Sequence, residues 1–86
     1  MAAVADKLAK ILAELRRNPK NVRFADLLLV CRHFFGEPRS HGTSHYVFKM
    51  PWPGDPRVNI QDKGGKAKPY QVKQVLNAIK KLGERS

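Results

Sequence analysis

Thr43-Ser44-His45-Tyr46-Val47-Phe48-Lys49-Met50 repeats with a period of two. Tyr46, Phe48 and Met50 fall on one parity, and His45, Val47 and Lys49 on the other. Successive side chains of a strand point to opposite faces, so this alternation predicts a β-strand with one face against a core. Arg57-Val58-Asn59-Ile60-Gln61 repeats the pattern, with Val58 and Ile60 on one side and Arg57, Asn59 and Gln61 on the other. Between them Pro51-Trp52-Pro53-Gly54-Asp55-Pro56 is too rich in proline for regular structure and reads as the turn. Glu37 to His41 offers a further short edge strand, where Pro38 is tolerated.

On the N-terminal side the period changes to that of a helix. Val4, Leu8, Ile11 and Leu15, with Leu12 beside them, make an apolar stripe over Ala3 to Arg17, and Asn18-Pro19 stops it. That stripe suits docking on its own domain better than a partner helix. A second helix is expected from about Arg23 to Phe35, with Phe24, Leu27, Leu28, Cys31, Phe34 and Phe35 on one face. Asn21 is its candidate cap and Gly36 its stop. On the C-terminal side Asp62-Lys63-Gly64-Gly65-Lys66-Ala67-Lys68 reads as a glycine-rich basic loop. Pro69 then opens a closing helix to about Leu82, with Val72, Val75, Leu76, Ile79 and Leu82 buried and Gly83 at its end. Helix, helix, two or three antiparallel strands and helix make an α+β domain with the helices on one sheet face.

Composition narrows the function. The chain has 86 residues, and a domain of this size buries only ~60% of its unfolded surface, which leaves no room for a deep substrate cavity. A multi-step cofactor enzyme is therefore not the expectation, and no cofactor is expected. Cys31, the one cysteine, excludes an intramolecular disulfide and any multi-cysteine zinc module. Inside an apolar stripe it reads as an inert buried thiol. No apolar run approaches a membrane span, and the N-terminus lacks the layout of a secretory signal, so the expected location is the cytoplasm. Seventeen Lys and Arg against seven Asp and Glu give a net charge of +10. So large an imbalance on so short a chain points to a polyanionic partner, with basicity for solubility as the plainer reading.

If helices cover the even face of the strands, the opposite face presents His45, Lys49, Arg57, Asn59 and Gln61, and Arg39 or His41 from the edge. This is a basic, hydrogen-bonding platform across which a phosphate backbone can lie. Val47 is the apolar residue on it that the pattern does not account for. An exposed strand position is an unusual place for a structural histidine. Imidazole titrates near neutrality, and a cationic surround favours the neutral form that a general base requires. Ser44 points to the other face, which disfavours a Ser-His dyad, and His33 falls on the polar side of its helix. Cys31, His33, His41 and His45 match no zinc spacing. In the glycine-rich loop the backbone amides, Lys63, Lys66, Lys68 and the following helix N-terminus suit a phosphate, although a plain solvated loop fits as well. It is not a nucleotide-hydrolysing P-loop, because the spacing GxxxxGK[ST] is absent. Trp52 and Tyr70 are either aromatic anchors for a partner or packing at the edge of the core.

Three segments together resemble the HicA mRNA interferase toxins of bacterial toxin–antitoxin systems. They are Gly42-Thr43-Ser44-His45-Tyr46-Val47-Phe48, similar to that family's Gly-Ser-His strand signature; the proline-rich hairpin into Val58-Asn59-Ile60-Gln61; and Gly65-Lys66-Ala67-Lys68-Pro69-Tyr70 leading into Gln71-Val72-Lys73-Gln74-Val75-Leu76. The resemblance runs from Arg23 to Leu82. The signature here carries one extra residue, and residues 1–19 form an amphipathic helix added before a HicA-like domain of residues 20–86. The resemblance implies a fold like the double-stranded-RNA-binding domain, with a three-stranded antiparallel sheet and helices on one face. It also implies metal-independent cleavage of messenger RNA with His45 catalytic; the basic face and loop themselves nominate Lys49, Arg57, Lys63, Lys66 and Lys68 as RNA-binding, and the open platform suits a single strand. A HicB-type antitoxin would occlude the histidine face at His45, Lys49 and Arg57. Two other classes fit the residues: a non-catalytic nucleic-acid-binding module using the same face, and an interaction protein that docks an acidic partner.

Overall fold

The computed structural model describes residues 3–39, 45–52 and 57–85, with side-chain burial described for 6–39, 45–52 and 57–83. Three helices and three strands follow one another as α1 (Ala3–Arg17), α2 (Phe24–Phe35), β1 (His45–Lys49), β2 (Arg57–Lys63), β3 (Lys66–Ala67) and α3 (Pro69–Arg85). The strands form one antiparallel sheet in the order β1-β2-β3. Helices α2 and α3 pack on the sheet, and α1 packs chiefly on those two helices. The α+β class and the helices on one sheet face are as the sequence predicts. No helix among the described residues is long and apolar enough to cross a membrane.

The core follows the periodicities. Phe48, Val58 and Ile60 are buried beneath the helices, with Met50 just beyond β1. Phe24 and Tyr46 bring their rings to 5.4 Å, and Phe35 and Phe48 to 6.0 Å, which locks α2 onto β1. Leu8, Ile11 and Leu15 are buried, so the stripe of α1 docks on its own domain. Each such side chain contributes about 1.5–3 kcal/mol of apolar burial. Val4 lies outside the residues whose side chains are described. Cys31 is fully buried, and desolvation pushes its thiol up to about 12. Val30, which the expected stripe of α2 omitted, is fully buried too.

Several boundaries differ from expectation. The basic loop is a hairpin, with Asp62 paired to Ala67 and Lys63 to Lys66. Gly64 and Gly65 have φ of 61° and 86°, and two consecutive positive φ values are the mark of the two-residue type I′ turn. The third strand is therefore β3. Residues 37–39 are not in a strand; they meet the sheet through one hydrogen bond, from Arg39 N–H to the Val47 carbonyl at 2.7 Å. His41, Gly42, Thr43 and Ser44 lie outside the described residues. Asn21 does not cap α2: Arg23 holds the cap position in extended geometry with no side-chain cap bond. Gly36 does stop the helix, with φ of 87° and its N–H on the Arg32 carbonyl at 3.1 Å. Gly83 does not end α3, which continues to Arg85.

Residues 21–23 are a short extended edge that leads directly into α2 at Phe24. Arg23 bridges antiparallel to Lys66, Ala67 N–H donates to the Val22 carbonyl, and Phe24 N–H donates to the Gly65 carbonyl. Val22 and Phe24 are buried while Asn21 and Arg23 are exposed, the alternation of a strand. This segment closes the outer edge of β3, which a two-residue strand could not otherwise hold.

Candidate functional site

The face of the sheet away from the helices is assembled by register. His45 stands opposite Gln61, Val47 opposite Asn59, and Lys49 opposite Arg57. The carbonyl of Val47 is bonded to Arg39, away from β2. Backbone polar groups of one strand residue point to the same side, so Val47 and Asn59 form a non-hydrogen-bonded pair. By the period of two, His45–Gln61 and Lys49–Arg57 are of the same kind, in which facing side chains approach most closely. The half-burial of Val47 fits its place at the centre of this row, flanked by the 37–39 segment.

Lys63 and Lys66 continue the face beyond Gln61. The bridge to Lys66 then places Arg23 on the same side, a residue the sequence reading did not select. The alternation Asn21-Val22-Arg23-Phe24 was the signal that could have found it. Lys66 Nζ donates to Asn21 Oδ1 at 2.7 Å, which ties this edge together across the face. Along β2 the His45–Gln61 row lies between two pairs of directly opposed cations, Lys49–Arg57 and Lys63–Lys66. The span from Arg57 to Lys63 is roughly 20 Å at the rise of a strand. The only acidic residue of the described strands, Asp62, belongs to the other face by parity.

Not every expected residue joins. Lys68 lies past β3 and is half-buried, with its carbonyl accepting the N–H groups of Gln71 and Val72 at the start of α3. Of the glycine amides, that of Gly65 is already engaged: Gly65 N–H donates to Asp62 Oδ1 at 2.7 Å, and the Gly65 carbonyl accepts from Phe24. His33 is exposed on α2 with its ring edge against Phe34. Among the described residues no group of three or more His, Cys, Asp and Glu is placed to hold a metal ion.

One buried polar side chain supports the site from behind. Gln71 is 4% exposed, and its Oε1 accepts the backbone N–H of Gln61 at 2.8 Å. The pairing parity turns this N–H away from β1, toward a position where β3 has already ended. Gln71 thus supplies the acceptor that the short strand lacks, satisfying a donor that is costly to leave unpaired. Its Nε2 donates to the Tyr70 hydroxyl at 3.4 Å, and Tyr70 itself is 58% exposed. At the other end of the face Trp52 is half-buried against the core, with Lys81 Nζ 4.7 Å from the ring centroid.

Exposed strand-borne imidazole, flanking cations and amide side chains form a surface that can bind a chain of phosphates and move a proton. No protein-family model, curated protein or solved structure matches this chain.

Proposed function

We propose that this protein is a metal-independent endoribonuclease of the HicA mRNA interferase type, the toxin of a bacterial cytoplasmic toxin–antitoxin pair, with a sheet-and-helix arrangement like that of double-stranded-RNA-binding domains. The observation that carries the reading is the placement of His45 on the open sheet face between two opposed cation pairs. Single-stranded RNA laid along β2 would contact Lys49 and Arg57 on one side of the histidine, and Lys63 and Lys66 on the other, bringing a ribose to the imidazole.

In this mechanism His45 accepts the proton of a ribose 2′-hydroxyl, and the 2′-oxygen attacks the adjacent phosphorus. The P–O5′ bond breaks, the leaving 5′-oxygen takes a proton from solvent or from Lys49, and the products are a 2′,3′-cyclic phosphate and a 5′-hydroxyl. Lys49 and Arg57 stabilise the charge that builds on the phosphorane oxygens. DNA lacks the internal nucleophile and would be bound but not cut. An acidic HicB-type antitoxin covering His45, Lys49 and Arg57 would block substrate and base together.

The test is cleavage of a labelled single-stranded RNA in excess EDTA by wild type and His45→Ala. Cutting by wild type alone, with binding retained in the variant and cyclic-phosphate ends on the product, is the expected result. Binding by both without cutting makes the chain a nucleic-acid-binding module on the same face. Equal cutting by both removes His45 from the chemistry.

A further inference from the structure

Where the open face ends at Arg57, a cleft of 240 Å³ lies between the start of β2 and α3, bordered by Trp52, Arg57, Gln74, Asn77 and Lys81. It is smaller than the ~300–1,000 Å³ of pockets for drug-sized ligands, and fits a single ring system. Its lining combines an indole, two exposed amide side chains and two cations around a floor of the buried apolar side chains Met50, Val58 and Ala78. Amides offer a donor and an acceptor side by side, the pattern that base edges match, and an indole offers a stacking plane. Arg57 belongs both to the phosphate-binding face and to this cleft.

We infer that the cleft beside Trp52 seats one unpaired base of the RNA whose backbone crosses the open face, which rests on the RNA-binding reading above. Arg57 holds the phosphate at the turn from face to cleft. Trp52 carries the base, and Gln74 and Asn77 address its edge. Lys81 covers the indole in the unbound protein. An exposed ammonium–indole contact is worth a preference of only about 2- to 5-fold, against about 5- to 150-fold for a stacked base. The base therefore displaces the ammonium, which turns to the backbone phosphate. His45 and Arg57 are separated by roughly 13 Å along the strands, so the seated base belongs to a nucleotide other than the one cut. Base preference is then set at a distance from the scissile bond.

Trp52 is the chain's one tryptophan, so its fluorescence reports this site alone. The probes are a 2′-O-methyl hexanucleotide, which the histidine chemistry cannot cut, and an abasic hexamer of the same charge. The base-bearing probe is expected to quench Trp52 and to bind roughly 10-fold tighter than the abasic one. Trp52→Leu should remove that difference by weakening the base-bearing probe only, and Trp52→Phe should keep most of it. Salt-sensitive binding of both probes to wild type with equal affinity and no differential quenching overturns the inference and leaves the RNA-binding reading standing. Failure of wild type to bind either probe at low salt overturns both.

Discussion

The side-chain oxygen of Gln71 accepts the backbone N–H of Gln61 at 2.8 Å, and Gln61 is the residue directly opposite His45. A helix thereby completes the hydrogen bonding of the strand on which the candidate base depends. Gln71→Met keeps the length of the side chain but offers only a weak sulfur acceptor. The Gln61 N–H is then left unsatisfied, and stability should fall by about 1–3 kcal/mol. Urea unfolding followed by circular dichroism measures it. An unchanged midpoint would mean that the bond contributes nothing net.

The hairpin that carries Lys63 and Lys66 depends on backbone handedness. Gly65 has φ of 86° and Gly64 of 61°, and a Cβ at either meets nothing within 4 Å. Substitution is therefore limited by φ and not by space. Alanine at position 65 should cost about 1–2 kcal/mol, the penalty of a left-handed L-residue. Asn at position 64 should be tolerated better, because Asn visits this region with local hydrogen bonding. Parallel denaturation curves for Gly65→Ala and Gly64→Asn test the ranking, and equal losses would contradict it.

The contrast between β2 and β3 explains what the sequence could disclose. β2 alternates Arg57, Val58, Asn59 and Ile60, so its inward face is written in its own residues. β3 is Lys66 and Ala67, too short to show any period, and it exists because Asp62–Lys63 and the 22–24 segment pair with it on either side. That dependence on distant partners hid the hairpin. The same cause hid Arg23, whose place on the open face comes from pairing with a residue 43 positions away. His45, Lys49 and Arg57 were legible because strand parity alone assigns them. Gln71 was not, because a polar residue in the buried stripe of α3 acquires its meaning only from the end of β3.

Gly83 is a simpler case of a local signal overridden. It sits inside α3 with no positive φ, and a Cβ there meets nothing within 4 Å. Gly83→Ala should stabilise the protein by up to about 1 kcal/mol, through helix propensity and a less flexible unfolded chain. A rise in Tm of a few degrees would be seen by calorimetry. A fall would show that the glycine serves a contact of its own.

Cys31 makes stability depend on alkaline pH with a definite sign. Burial raises its pKa from 9.0 to about 12 in the folded chain. Below pH 9 the thiol is neutral in both states and contributes no slope. Between pH 9 and 12 the unfolded chain loses this proton while the folded chain keeps it, so the folded state binds more protons and stability falls as pH rises. The urea midpoint should drop across this window, and Cys31→Val should drop less, the difference isolating the contribution of the thiol. Identical slopes would place Cys31 in contact with solvent.

Arg23 separates the observed face from the one that strand parity alone outlines. Its bridge to Lys66 sets it beside the Lys63–Lys66 pair, at the far end of β2 from Arg57. If RNA runs the length of the face, Arg23 neutralises one phosphate and releases the counterions held there. For a single strand each such contact adds about 0.7 to the slope of log affinity against log salt. Arg23→Ala should therefore lower the slope by about 0.7 for any sequence of RNA, because a phosphate contact carries no base information. Lys80→Ala is the control, since Lys80 is exposed on α3, outside the sheet altogether. Filter binding of an uncleavable single strand between 50 and 200 mM salt, the range over which such contacts are resolved, measures both slopes. Equal slopes for the two variants would mean that the bound strand stops short of Arg23 and that the face ends, for RNA, at or before the Lys63–Lys66 pair.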